Sequence, residues 1–223
     1  MDELNKKYFD EMKKCQRNWD LEKGIPEEHL ESLIYAAHNA PKKNLVRFFS
    51  LLVVRTREII DVFAGVTGPI KGGPDNPDAI TQPKQSQMYA NILFGWIYDK
   101  DLKNFYLEEI DDINYNDRNI QLHSGISAGM VAYEAHRLGY KTGFCLCYQH
   151  TKDVLSQYNI NGEVVLFLGV GHDREDAPYW QPIISNLTEE GQTYPYGRGD
   201  IINKNTPNIG QKFVEYAPKT FII

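Results

Sequence analysis

Two helical patterns open the chain. An apolar residue recurs every four positions from Leu4 to Met12 and predicts a helix over about residues 2–15. A second pattern begins after Gly24, where Pro26 suits a first helical turn and an apolar stripe follows. We therefore expect two amphipathic helices before the first strand.

Three nearly continuous apolar runs follow, at 47–56, 91–99 and 163–170. They are rich in β-branched and aromatic residues, which is typical of strands buried on both faces. Short helices are expected between them, at 57–63 and 151–158. Because strands alternate with helices, the pattern predicts a mixed α/β or α+β sandwich with helices on the sheet.

The strongest helical pattern runs from Ile120 to Leu138 and is closed by Gly139. Small residues are unusually dense in it: Ser124, Gly125, Ser127, Ala128, Gly129, Ala132 and Ala135. Small side chains let another backbone approach closely, so we expect this helix to be packed on several sides. The same density favours a dimer.

Composition and charge exclude several classes of protein. The 223 residues include 24 Lys and Arg against 30 Asp and Glu, and this net charge of −6 argues against a nucleic-acid partner. No apolar run approaches the ~20 residues that cross a bilayer, and the N-terminal residues lack the apolar core of a signal peptide, so we expect no membrane association. Three cysteines are too few for a disulfide framework and favour a reducing, cytoplasmic compartment.

Lys13, Lys14 and Arg17 form a basic cluster where the first helix ends. If the helix continues, Lys13 and Arg17 are four residues apart, point the same way and could hold one phosphate. The alternative is a helix C-terminus whose cations offset the helix dipole. Local sequence alone favours this second interpretation.

Two other segments carry candidate chemistry. Residues 40–44 form a polar, cationic turn that could donate hydrogen bonds to an aromatic ring or an anion, or could be a solvated connector. Cys145, Cys147 and His150 could suggest thiol or metal chemistry, but Cys-x-Cys is not the spacing of a zinc or thioredoxin-like site, so we predict no metal. The chain has no nucleophile elbow, Walker loop or dinucleotide-binding glycine motif, which argues against a hydrolase, an NTPase or a Rossmann dehydrogenase.

In their order and spacing, these segments resemble the nitroreductase family of FMN flavoproteins. That family opens with R-x-S-x-R/K shortly before an aromatic residue, and residues 13–19 have this shape, with Cys15 in the serine position. Residues 40–48 resemble a shortened form of the A-P-S-S-x-N-x-Q-P-W segment that ends its second helix. Residues 135–148 follow the outline A-x-x-x-G-L-G-T-x-P-I-x-G-F, and the strand at 164–171 comes next as in the family.

The resemblance covers roughly residues 10–172. It implies an α+β fold, with a mixed β-sheet flanked by helices, and a homodimer that binds FMN at the subunit interface. It also implies one domain over residues 1–223, with a lid or an extension at 173–207.

The resemblance further implies which residues bind the cofactor. The phosphate would be held by Lys13, Lys14 and Arg17, and Cys15 would replace a serine that contacts it. The flavin ring would be approached from the other subunit by Pro41, Lys42, Lys43 and Asn44. The backbone of Leu146 and Cys147 would lie beside the flavin N5. The late basic element of the family has several possible counterparts, of which we select Arg198.

The implied function is the NADH- or NADPH-driven reduction of a small-molecule acceptor of the nitro or quinone type. No catalytic side chain is required, because the chemistry is centred on the flavin. A specialised flavoprotein is an alternative, because the Ser-Ser and Gln-Pro-Trp residues of the family are replaced near 42–48. A non-catalytic flavin-binding dimer with a diverged pocket is another.

Overall fold

Helices cover both faces of one central sheet in the computed structural model. The structure describes residues 3–12, 15–17, 19–42, 48–67, 82–83, 85–108, 116–146, 151–173, 192–193 and 201–202. No helix among these residues is both long enough and apolar enough to cross a membrane.

The central sheet has five strands. They are β1 (Trp19–Asp20), β2 (Ser50–Val54), β5 (Ile92–Asp99), β6 (Lys141–Cys145) and β7 (Gly162–Asp173). The order is β1-β7-β5-β2, and β6 pairs with β7 as well. Every described pairing is antiparallel, so the mixed sheet that we expected is not found within the described residues.

Two short strand pairs lie outside the central sheet. They are β3 (Val66–Thr67) with β4 (Gln82–Pro83), and β8 (Gln192–Thr193) with β9 (Ile201–Ile202). The second pair is all that the structure describes of the predicted lid or extension after Asp173.

Six helices complete the described architecture. They are α1 (Glu3–Met12), α2 (Glu27–His38), α3 (Arg57–Ala64), α4 (Lys100–Glu108), α5 (Asp117–Arg137) and α6 (Thr151–Gln157), with a 3₁₀ turn at Ser86–Met88. The helices expected from periodicity are present, and Gly139 closes the longest with a φ of 89°. The described part of the first helix runs from Glu3 to Met12, and Cys15, the last residue of the predicted helix, is not helical.

The side chains of β5 alternate between two apolar clusters. Phe94 and Trp96 belong to the cluster beneath α2 and α5, whereas Leu93 and Ile97 belong to the cluster beneath α3 and α6. This period of two is the signature of a strand with both faces covered. The sheet is therefore the middle layer of three, which confirms the helix-flanked α+β arrangement.

The edge strand β2 differs from its prediction. We expected it to be buried on both faces, but only Val54 of its five residues is fully buried. Among the described strands it pairs only with β5 and forms one edge of the sheet. An apolar run therefore predicted the strand correctly and its position in the sheet incorrectly.

The small residues of α5 pack mainly inside this chain. Ala128 and Ala132 are completely buried in the cluster shared with α2 and the sheet. Ser127 accepts a hydrogen bond from the Trp96 indole and donates one to the Ala37 carbonyl, both at 2.8 Å. The density of small residues is thus explained by close packing of α2, α5 and the sheet.

Candidate functional site

Three distant segments of the chain meet at the end of β6. We call residues 15–17, 86–88 and 144–146 together the cradle. The Gln16 backbone N–H donates to the Thr142 carbonyl at 2.8 Å. The Cys15 thiol lies 3.5 Å from the Phe144 carbonyl oxygen, to which it donates. The described part of the basic segment, residues 15–17, is therefore fixed against the strand that leads to the predicted flavin contacts.

The 3₁₀ turn is joined to Trp19, which follows the first segment, and to the third segment. The Trp19 indole N–H donates to the Ser86 carbonyl at 2.7 Å in the protein interior. The Gln87 amide Nε2 lies 3.3 Å from the Cys145 sulfur. The aromatic residue after the basic motif is thus an anchor for the cradle.

Two glycines allow the turn to lie directly on the sheet. A Cβ on Gly169 would lie 2.2 Å from the Gln87 carbonyl oxygen, and a Cβ on Gly143 would lie 2.6 Å from the Gln16 carbonyl oxygen. Both distances are far below van der Waals contact with backbone atoms, which cannot move as a flexible side chain can. The geometry of the cradle therefore requires glycine at both positions.

Burial and charge act in opposite directions on the Cys15 thiol. Burial raises its pKa above the usual value of 9.0, and the neighbouring Arg17 guanidinium partly offsets this. The thiol is therefore protonated at neutral pH and acts as a hydrogen-bond donor. Arg17 gives this part of the cradle its positive charge.

The cradle also offers an unused acceptor and exposed apolar surface. The Oε1 atom of Gln87 is buried and has no hydrogen-bond partner among the described residues. Phe144 is 39% exposed and Leu146 is 73% exposed, so both present apolar surface at this end of β6. Leu146 also lines a cavity of about 580 Å³ between β7 and the first turn of α5. A cation, a buried acceptor and apolar surface suit a flat ligand that has a polar edge and an anionic tail.

Solved structures identify the architecture. A nitroreductase-like protein from Streptococcus mutans is 13% identical with a TM-score of 0.57, and the match covers 78% of this chain and 93% of that chain. A nitroreductase from Lactococcus lactis, in complex with 4-nitrophenol, is 13% identical with a TM-score of 0.56, covering 82% and 95%. The chain has the nitroreductase fold.

A third solved structure that matches this chain is that of an FMN-dependent enzyme. This FMN-dependent nitroreductase from Clostridium difficile is 15% identical with a TM-score of 0.52, and the match covers 77% of this chain and 90% of that chain. No family model matches the sequence, and no curated protein sequence is detectably similar to it. The resemblance in sequence motifs is therefore confirmed as a likeness of fold.

The structure describes about half of the residues predicted to bind the cofactor. Cys15 and Arg17 lie together in the cradle, and Leu146 follows the strand end that Cys15 contacts. Pro41 and Lys42 are described elsewhere, after the end of α2. The others lie outside the described residues: Lys13, Lys14, Lys43, Asn44, Cys147 and Arg198.

The helical spacing argument for the basic cluster does not hold. The described part of α1 is Glu3–Met12, and residues 15–17 have no regular secondary structure. Arg17 therefore cannot be placed on one helix face with Lys13. It is positioned instead by the backbone hydrogen bond of Gln16 to β6.

Lys42 is associated with a different cavity. Together with Phe48, Phe49 and four other described residues, it lines a volume of about 540 Å³. The described lining includes none of the cradle residues. Within this chain, the described members of the two groups of predicted contacts thus belong to separate surfaces.

Sequence reasoning missed the parts played by Trp19 and Gln87. The sequence motif at residues 13–19 includes Trp19 only as its aromatic residue, and no motif pointed to Gln87. Gln87 is buried together with Ser86 and Met88, which is visible only in the folded structure, so no sequence signal could have selected it.

Proposed function

We propose that the protein is an FMN-dependent oxidoreductase, in which NADH or NADPH is the reductant and a nitro, quinone or similar small molecule is the acceptor. The observation that carries this proposal is the 3.5 Å contact between the Cys15 thiol and the Phe144 carbonyl. It joins the predicted phosphate segment to the predicted flavin N5 strand across 129 positions of sequence. The nitroreductase fold of the chain supports the same function.

We propose that the cradle and the residues next to it hold FMN through three kinds of contact. Arg17 offers a charge-assisted donor to the phosphate, and Lys13 and Lys14 are proposed to assist it. The unpartnered Oε1 of Gln87 offers an acceptor to the N3–H of the ring. The backbone of Leu146 and Cys147 is proposed to lie beside N5. When bound, FMN supplies reversible two-electron chemistry.

The residues of the chain are proposed to bind and orient rather than to react. The exposed side chains of Phe144 and Leu146 provide apolar surface that excludes water from the ring. For a nitroarene, the net reaction converts NAD(P)H, a proton and the nitro compound into NAD(P)⁺, water and the nitroso compound. The cradle itself needs no side-chain acid or base for this exchange.

We also propose a homodimer. Leu122, Ile126 and Met130 are spaced four residues apart on α5 and are 55%, 36% and 41% exposed. Gly125 and Gly129 lie on the same side, and a Cβ on either would meet nothing within 4 Å. An apolar helical stripe with small residues suits a second copy of the chain. The segment at Pro41, Lys42, Lys43 and Asn44 would then approach the partner's flavin.

The proposed compartment is the cytoplasm, and no nucleic-acid or membrane partner is proposed. Both described cysteines, Cys15 and Cys145, are free thiols. Free thiols without disulfides are typical of a reducing environment.

A flavin-binding dimer with a diverged, non-catalytic pocket is the second candidate. It is favoured by the Cys15 thiol, which donates to the Phe144 carbonyl and holds its proton at neutral pH. A thiol in this state contributes less to phosphate binding than the serine hydroxyl of the family.

The two candidates are separated by flavin content and turnover. We expect the purified protein to contain FMN, to be bleached by NADH or NADPH in the absence of oxygen, and to regain its flavin spectrum when a nitroarene is added. Flavin that is bound but never reduced would support the diverged pocket. A protein that contains no flavin and takes up none would contradict both candidates.

A further inference from the structure

The cavity that Leu146 lines has the composition of a ligand site. Its volume of about 580 Å³ is in the range of small-molecule pockets. Leu146 is 73% exposed and gives it apolar surface, to which the half-buried Val165 of β7 adds. Asp117 and Gln121, from the first turns of α5, line the same cavity. Apolar surface next to a few polar groups is typical of sites for small organic ligands.

The polar groups from α5 are free to contact a ligand. Asp117 and Gln121 are four residues apart in one helix, so their side chains are neighbours on the same face. Both side chains are exposed, and neither has a hydrogen bond or an ion pair with another described residue. A carboxylate and an amide can therefore bind a ligand without giving up a contact within the described part of the chain.

The uncompensated charge at this cavity is negative. Two carboxylates line it, and its described lining contains no lysine, arginine or histidine. Glu163 is already paired with Lys152 at 2.6 Å, so its charge is largely compensated. Lys103 lies over the Tyr98 ring, 5.1 Å from the centroid, and its pKa is raised chiefly by a hydrogen bond with Tyr98, whereas the charge of Asp117 contributes least. The carboxylate that remains to attract a cation is that of Asp117.

We propose that this cavity binds aromatic compounds that carry a positively charged amine. The Asp117 carboxylate pairs with the amine, the ring lies against Leu146 and Val165, and the protein thereby selects cationic acceptors over anionic ones. The selection of acceptors rests on the proposed function, in which the backbone of Leu146 lies beside the flavin N5. The binding of the amine rests on the cavity alone.

Equilibrium binding tests the proposal without any need for turnover. The probes share a nitrophenyl ring and differ in charge at pH 7: cationic 4-nitrobenzylamine, neutral 4-nitrobenzyl alcohol and anionic 4-nitrobenzoate. They are titrated by calorimetry into the protein as purified, at low salt. We expect the wild type to bind the amine at least about threefold more tightly than the alcohol, which is the scale of one exposed ion pair. The acid should bind more weakly than the alcohol, because like charges repel.

Substitutions separate the charge of the cavity from its apolar surface. Asp117→Asn keeps the size of the side chain and should bind the amine and the alcohol equally. The control Glu58→Gln removes an exposed acid from the first turn of α3, which covers the other face of the sheet, and should keep the wild-type preference. Leu146→Ser should weaken all three probes by a similar factor, because the contact of the ring with Leu146 does not depend on charge. Thermal unfolding confirms that each variant is folded at the temperature of the titration.

Three results would overturn the proposal. The first is equal affinity of the wild type for the three probes, and the second is a preference for the amine that persists in Asp117→Asn. The third is a Leu146→Ser variant that binds every probe as the wild type does, because the site of binding would then lie elsewhere.

Turnover separates this proposal from the proposed function. The ratio of kcat/KM for the amine to kcat/KM for the alcohol should fall in Asp117→Asn. An unchanged ratio would contradict the selection of cationic acceptors and leave the flavin enzyme supported. Preferential binding of the amine by a protein that holds no FMN would support the cavity and contradict the flavin enzyme.

Discussion

Gly169 shows most directly how single residues build the cradle. At this position the 3₁₀ turn lies so close to β7 that the Gln87 carbonyl oxygen occupies the space of a Cβ. The sequence contains 17 glycines, and no local pattern distinguishes this one from those in loops. Glycine is required at position 169 because two segments about eighty residues apart in sequence are in contact there, and only the folded structure reveals this contact.

We therefore expect Gly169→Ala to destabilise the protein by about 1–3 kcal/mol, because backbone must move to admit the methyl group. Gly24→Ala is the matched control, since a Cβ there meets nothing within 4 Å, and it should change the stability by less than about 0.5 kcal/mol. Denaturant unfolding measures both. Equal stability of the two variants would contradict the described contact of the turn with β7.

Glu134 provides a test of electrostatics at the residue scale. The hydrogen bond from the Arg137 guanidinium holds the pKa of its carboxyl below the usual 4.5, and the Ser32 hydroxyl adds to the effect. Because the pKa of Glu134 is lower in the folded than in the unfolded protein, its ionised form stabilises the folded state at pH values above the unfolded-state pKa. This stabilisation is lost as the pH falls through the folded-state pKa.

At pH 7 we expect Glu134→Gln to be less stable than the wild type by about 0.5–1 kcal/mol, a magnitude limited by the half-exposed Arg137. The difference should disappear as the pH falls below about 4.5. Unfolding measured at both pH values, with the exposed Glu58→Gln as control, checks this. A difference between wild type and Glu134→Gln that does not depend on pH would show that the ion pair is not its source.

At the scale of elements, apolar periodicity predicted the helices and strands whose apolar residues are regularly spaced. Helices α2 and α5 and strands β5 and β7 follow from apolar spacing because tertiary packing uses the same faces. Helix α4 was not predicted, because its sequence is largely polar and its start depends on capping by Asp99. Strand β6 was not predicted as a strand, because five residues that include Gly143 give too short a pattern.

Helix α5 has a face buried in the core and an exposed apolar face, and the sequence pattern does not distinguish the two. Its small residues suggested a dimer, but Ala128 and Ala132 are buried within the chain. A charge at Ala132 would therefore disrupt the core and would not report on association. The exposed stripe at Leu122, Ile126 and Met130 is the appropriate place to test for a dimer.

We expect Ile126→Glu to be monomeric at concentrations where the wild type is dimeric, because the substitution puts an unpaired charge into an apolar interface. Light scattering after size-exclusion chromatography measures the mass. Val62→Glu, at a 60% exposed position on α3, is the control and should leave the wild-type mass unchanged. A dimeric Ile126→Glu variant, or a monomeric wild type, would contradict the proposed interface.

At the scale of the whole molecule, the order of the segments carried more information than any one of them. The order of helices and strands between residues 10 and 172 predicted the nitroreductase fold, although no single motif is complete. The convergence of Cys15 with Phe144 could not be derived from local patterns, because 129 positions separate them. The family resemblance identified both segments, and the structure shows that they are in contact.

The affinity for FMN tests the central claim that the cradle holds the phosphate of a flavin. It is measured by titrating FMN into flavin-free wild type, Arg17→Ala and the control Arg55→Ala, whose guanidinium pairs with Glu27 on the surface. We predict that Arg17→Ala weakens binding by about 1.5–3 kcal/mol, the scale of a charge-assisted hydrogen bond, and that Arg55→Ala binds like the wild type. An unchanged affinity in Arg17→Ala, or a wild type that binds no FMN, would contradict the account.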